Sequence, residues 1–170
     1  MSAACACPAR WPDWDGQDVN LGGEVVHTLP FPSFLHMPIG YEIYVTRQQD
    51  EIRRLELEER WPGLVLTRSG AFGGKIIRVL TGGDSPSRRV GRLPNPYRLH
   101  VALHRGDVGT LRRTVQPMQA RLLDAGRMPR ELYLCYLTCP LCSARKGGDR
   151  ILVLRHWVTS DRLGKRIGRR

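Results

Sequence analysis

Lysine is nearly missing from this 170-residue chain, where only three of 27 basic residues are Lys, at 75, 146 and 165. The cationic surface is therefore one of arginine, whose planar fork suits bidentate phosphate contact and base stacking better than an ammonium does. Long apolar runs are missing too. No stretch approaches the roughly 20 residues of a membrane span, and no charged start followed by an apolar run marks a secretory leader. A cytoplasmic protein without a membrane partner is the expectation. Cysteine is scarce and odd in number, five in all, which argues against a disulfide framework. Thiols in a reducing compartment are structural, metal-binding or catalytic. Carboxylates thin out after residue 62, where only six remain, too few for a two-metal nuclease built there. Neither a nucleophile elbow nor a Ser-His-Asp order is present. The glycine loop Ser69 to Gly74 also falls short of a Walker loop. Three residues, not four, separate Gly70 from Gly74-Lys75, and Ile76 stands where Ser or Thr would hold magnesium. A hairpin turn or bulge explains those glycines more simply.

What is present centres on Glu131 to Trp157. Both alternating faces of Leu132 to Leu137 are apolar, the mark of a strand inside a packed sheet. Ile151 to Leu154 is a second such run, and the turn residues between them favour an antiparallel pair. The connection carries Cys139-Pro140-Leu141-Cys142, which has the form of a zinc knuckle supplying half a tetrahedral site. Cys5 and Cys7 are the expected remaining ligands, with Cys135 and His156 as competitors. A bound structural zinc, two small buried hydrophobes, and a redox dithiol are the three readings. The last is disfavoured because the pair is not expected to open a helix, where thiolate pKa would fall.

Charge is segregated along the chain. Residues 1–62 hold five bases against ten acids, net −5, whereas residues 63–170 hold 22 bases against six acids, net +16. Fields of that kind meet nucleic acid or another polyanion. Arg88, Arg89, Arg92, Arg98, Arg112, Arg113, Lys165, Arg166, Arg169 and Arg170 are the expected phosphate contacts, with Tyr97 and Trp157 available for stacking. The acidic first part is expected to face a protein partner.

In chain order, residues 1–40 read as an extended arm whose Trp11 and Trp14 dock on the body. A single domain follows over 41–160, and a basic tail over 161–170. Tyr41 to Val45 predicts a strand. Thr46 and Gln49 then form a capping-box pattern for a helix from Arg47 to about Trp61, stopped by Pro62-Gly63. Further strands are predicted over 64–67, 75–80 and 98–104, with a Pro- and Gly-rich loop over 81–97. A second helix is spaced on Leu111, Val115, Met118 and Leu122, with Pro117 kinking it. No internal repeat is visible. The pattern predicts an α+β fold, a mixed or antiparallel sheet with two helices in a loosely ferredoxin-like order, ending in the knuckle hairpin.

Together these point to a non-enzymatic nucleic-acid-binding subunit of a larger nucleoprotein assembly, RNA or DNA left open, with a structural zinc. Two alternatives stand beside it. One is a small phosphoester- or nucleic-acid-processing enzyme using His100 or His104 as acid or base. These two lie about 13 Å apart on one strand face, too far to share a metal. The other is an interaction module for an acidic protein.

Overall fold

Leu99, Val101 and Leu103 alternate with His100, Ala102 and His104, and this spacing does form a strand with both faces in use. The computed structural model describes Cys5 and residues 7–168. Its strands are β1 (Asp18–Asn20), β2 (Val25–Phe31), β3 (Ser33–Phe34), β4 (Met37–Pro38), β5 (Leu66–Ser69), β6 (Gly74–Val79), β7 (Val90–Arg92), β8 (Arg98–Arg105), β9 (Arg127–Tyr136) and β10 (Arg150–Thr159). Four α-helices are found among the described residues, not two: α1 (Tyr41–Arg54), α2 (Arg112–Asp124), α3 (Pro140–Lys146) and α4 (Asp161–Ile167).

Eight strands make one sheet in the order β1-β8-β10-β9-β5-β6-β2-β7, while β3 and β4 form a separate hairpin. The pairings are antiparallel. Two copies of one unit lie within that order. In β2-α1-β5-β6 and in β8-α2-β9-β10 the chain runs strand, helix, hairpin, and the last strand sits between the first two. The copies join through β5 and β9 at Thr67 and Leu134. A ferredoxin-like βαββαβ order is therefore not what forms. Each half here is complete before the next begins. The repeat lies in the order of the elements and in how the strands pair.

Helices α1 and α2 cover one face of the sheet. Under α2 lie Leu111, Met118, Leu122, Ile151, Val153 and Trp157, and under α1 lie Leu29, Phe31, Val65 and Ile76. The opposite face carries the larger core, including Leu66, Ile77, Leu99, Tyr133, Cys135 and Leu154. Trp11, Trp14 and Trp61 pack over that core. Trp14 meets Trp61 edge to face at 4.9 Å, and Lys146 Nζ lies 5.5 Å from the Trp11 ring. Of the stretch read as an arm, residues 18–31 supply β1 and β2 of the sheet itself.

The strands around the knuckle fall as their greasy faces predict, β9 and β10 pairing antiparallel in the sheet interior. Tyr41 to Val45 does not form a strand. It is the start of α1, which follows Gly40 in the left-handed region and ends at Arg54, well short of Trp61. Aromatic and β-branched residues gave it strand character. The deciding signal is the helical spacing of Tyr41, Tyr44, Val45, Gln48 and Ile52, all turned to the sheet. Thr46 thus sits inside the helix and caps nothing.

A buried polar layer fastens α1. Gln48 Nε2 donates to the carbonyls of His27 (3.0 Å) and Ile76 (3.2 Å), and its Oε1 accepts from Arg78 Nε at 3.0 Å. Arg78, 2% exposed, donates from Nη1 to both carboxylate oxygens of Glu59, at 2.9 and 2.8 Å. The glycine loop is a tight β5–β6 turn. Gly70 N–H donates to Gly73 O at 2.8 Å, and a Cβ on Gly74 would fall 2.4 Å from the Phe31 ring and from the Arg68 carbonyl.

Candidate functional site

The β9–β10 connection turns through a short helix because Pro140 suits its first position and Gly147, with φ 76°, closes it. Cys139 is the N-cap, so the Cys-x-x-Cys pair does open a helix, contrary to the sequence expectation. The residue immediately before Pro140 carries no apolar or helical signal, which hid the cap. The arm brings Cys5 and Cys7 to the same place. All four Sγ atoms lie within 4.8 Å of one another, with Cys5 at 2.9 Å from Cys142 and 3.5 Å from Cys139. Four sulfurs around zinc at bonds of about 2.3 Å stand about 3.8 Å apart, so the cluster fits one tetrahedral metal ion with a small adjustment.

The thiols are electrostatically unlike. Hydrogen bonds from the Cys142 thiol and from the Cys7 backbone lower the Cys5 pKa to about 6. Desolvation and the Cys5 charge push Cys7 up, and the bond to Cys5 pushes Cys142 up. One thiolate supported by protonated neighbours is a ready acceptor for a soft cation, which displaces the remaining protons. Cys135 is fully buried in the core, and His156 bonds Glu131 at 2.7 Å and stacks on Tyr97 at 4.1 Å. Neither belongs to the cluster.

Beside the cluster, between α1 and the start of α3, opens a cavity of about 350 Å3. Its walls include Tyr41, Glu42, Val65, Arg78, Tyr136 and Cys139. Tyr41 and Tyr136 meet edge to face at 5.9 Å, and Tyr41 Oη bonds Thr67 Oγ1 at 2.7 Å. Helical spacing of these aromatics was needed to find this wall, and it was obscured by reading Tyr41 into a strand.

The predicted phosphate contacts scatter over several elements. Arg88 is exposed in the loop before β7, where Arg89 pairs with Glu51 and Arg92 donates to the Gly23 carbonyl at 3.1 Å. Arg98 lies 5.4 Å from the Trp157 ring, on whose face Arg127 also stacks at 4.2 Å. Arg112 and Arg113 are exposed at the start of α2, the former able to bond Gln116 once that amide is turned. Lys165 and Arg166 are exposed on α4; Arg169 and Arg170 lie outside the described residues. Tyr97 is buried and bonds Tyr133 Oη at 2.6 Å, and Trp157 is 6% exposed.

The two histidines part company. His104, 4% exposed, is held by Thr114 (2.8 Å) and Thr110 (3.0 Å) beneath α2. His100 Nδ1 meets Asp18 Oδ1 at 2.7 Å, and Asp18 Oδ2 accepts from Arg127 at 2.6 Å. Burial pushes the Asp18 carboxyl up, but His100 and Arg127 outweigh it and hold it below the ordinary range. Asp18 lies 82 residues away from His100, so no local pattern marks the pair.

Among the described residues no helix is long and apolar enough to cross a membrane. No protein-family model matches the chain, and no curated protein matches it in sequence. Among solved structures it resembles the crystal structure of the EcmrR C-terminal domain, with a TM-score of 0.63 at 11% identity. The likeness covers 84% of this chain and 96% of that one. At that identity the two share a fold, and the α+β sheet with a metal-competent cysteine cluster stands as what this chain is shown to be.

Proposed function

We propose that this chain is a non-enzymatic nucleic-acid-binding protein, a subunit of a larger assembly, with its arm stapled by zinc and its second unit supplying the contact surface. One observation carries the reading. From 25 to 80, seven bases face six acids, and four of those bases (Arg47, Arg53, Arg60 and Arg78) are in ion pairs. From 98 to 168, fourteen bases face five acids, and among the described residues Arg127 alone is so paired. Ion pairing therefore quiets one half and leaves the other bare. Arg112, Arg113 and Arg121 are exposed on α2, whose inner side is Met118 and Leu122, so packing gives them no reason to be there. Unscreened arginine on a helix surface is an electrostatic footprint for phosphate.

Binding to RNA or DNA is expected at micromolar concentration or tighter, with log affinity falling against log salt at a slope of about −4 or steeper. Replacing Arg112, Arg113 and Arg121 with Ala flattens that slope by about 2 to 3, since each phosphate contact contributes roughly 0.7 to 0.9. No binding to any nucleic acid at about 50 mM salt overturns the reading, and preference for an acidic protein replaces it. A second reading rests on the cavity, whose aromatic walls and concave shape suit a small, largely apolar ligand. Tyr136→Ser separates the two: it removes such a ligand's binding and leaves the polyanion slope intact.

A further inference from the structure

Six large apolar side chains stand in water at one end of the first unit. Phe34, Leu35, Met37, Ile39, Ile43 and Phe72 are 53% to 83% exposed, Phe72 the most. They come from two turns seated on each other and from the adjoining start of α1. Ser33 Oγ donates to Gly70 O at 2.7 Å, Leu35 N–H to Ala71 O at 2.9 Å, and His36 Nδ1 lies 3.2 Å from Ser69 O. The contacts align the β3–β4 tip with Phe72 at the β5–β6 tip. Scattered single hydrophobes need no explanation, whereas a cluster of this size does.

Two details say what covers it. First, the β3–β4 turn has Leu35 at φ 47° and His36 at φ 66°, the left-handed pair that Asn-Gly ordinarily fills. A leucine there carries backbone strain and places its apolar side chain outward, so neither conformation nor packing favours it. Second, the tip is cationic. Arg68 and Lys75 sit directly across the β5–β6 ladder from each other, a like-charge pair that an antiparallel sheet disfavours. Neither 25–41 nor 64–81 contains a single Asp or Glu, and Glu42, beside Ile43 at the start of α1, is the one acid within the patch's sequence.

We propose that these two turns dock on an anionic lipid surface, with Phe34, Leu35, Met37 and Phe72 entering the headgroup layer and Arg68 and Lys75 meeting lipid phosphates. Among the described residues no helix is long and apolar enough to cross a bilayer, and a surface contact needs none. A second copy of the chain suits the patch less well, because a symmetric contact brings the same Arg68 and Lys75 pair up against its twin. The contact goes beyond nucleic-acid binding and uses none of the second unit's arginines.

The test is flotation of the full chain with phosphatidylcholine vesicles, with and without phosphatidylglycerol. Wild type is expected on the anionic vesicles only. Leu35→Ser with Phe72→Ser reduces that binding by about tenfold or more, since each buried side chain contributes to insertion. Arg68→Glu with Lys75→Glu also reduces it, while Arg112, Arg113 and Arg121→Ala leaves most of it. Leu35→Gly supplies the control for folding: it relieves the left-handed strain, so its melting temperature holds or rises while vesicle binding falls. Equal binding by the Ser variant and wild type overturns the proposal. So does a failure to bind anionic vesicles combined with dimerisation that the Ser variant loses, which assigns the patch to a second copy.

Discussion

His27 has no exposed surface, and its two ring nitrogens face different neighbours. Nδ1 lies 3.2 Å from Gln48 Nε2, and Nε2 lies 3.2 Å from Glu51 Oε2 without the alignment of a hydrogen bond. Desolvation lowers its pKa, and the attraction to Glu51 does not recover the loss. The folded state therefore prefers the neutral ring, while the unfolded chain takes a proton near about pH 6.5. Stability from this residue is present above that pH and declines as pH falls through it. Urea titrations between pH 7.5 and about 5 should show a decline that His27→Gln reduces, and an unchanged decline in the variant counts against it. Asp18, Glu51 and Glu131 also have lowered pKa values, each a balance of burial pushing up against His or Arg partners pulling down further. Their contribution is lost separately, below about pH 4. The cysteine pairs were legible because their spacing is short and chemically specific. Gln48, Arg78 and Asp18 were not, since their partners lie tens of residues away and no local pattern marks them.

The arm and α3 depend on each other. Cys5 and Cys142 are 137 positions apart, so a metal bridging them closes nearly the whole chain into a loop. Closing a loop of that length restricts the unfolded chain by about 4 to 5 kcal/mol in the entropy account used for disulfides. Metal coordination adds its own term, strongly dependent on pH because thiolates must form. Purified protein is expected to hold about one zinc per chain, and chelation or Cys139→Ser should lower stability by several kcal/mol, here about 3 to 5. Metal content below about a tenth of an equivalent, with melting unchanged by Cys139→Ser, argues for four simple thiols. Among elements, the strands were easiest to read, since period-two alternation in β8 and the double-sided runs of β9 and β10 depend only on local residues. The start of α1 was hardest, because Tyr and Val favour strands until the sheet they pack on is known. Helix α3 was missed because seven residues are too few for a period to emerge.

Over the whole molecule the net charge is +11, most of it on the second of two like-shaped units, where fourteen bases face five acids and find few partners within the chain. Such a surface repels itself. Thermal stability should therefore rise with sodium chloride up to a few tenths molar, as screening shortens the Debye length to less than about 8 Å. A melting temperature that falls with salt shows that attractive pairs dominate the field instead. The doubling of the fold could not be read from the sequence, since what the halves share is element order and strand pairing. Its seam is narrow: Thr67 opposite Leu134 is the one bridge pair between β5 and β9 in the described ladder. A lone unit would leave its second strand as an open edge, and open edges seek partners. Two identical units closing edge to edge make a symmetric dimer, each strand meeting its own copy. The seam has the form of that dimer's interface, as though a two-chain ancestor had been written into one chain.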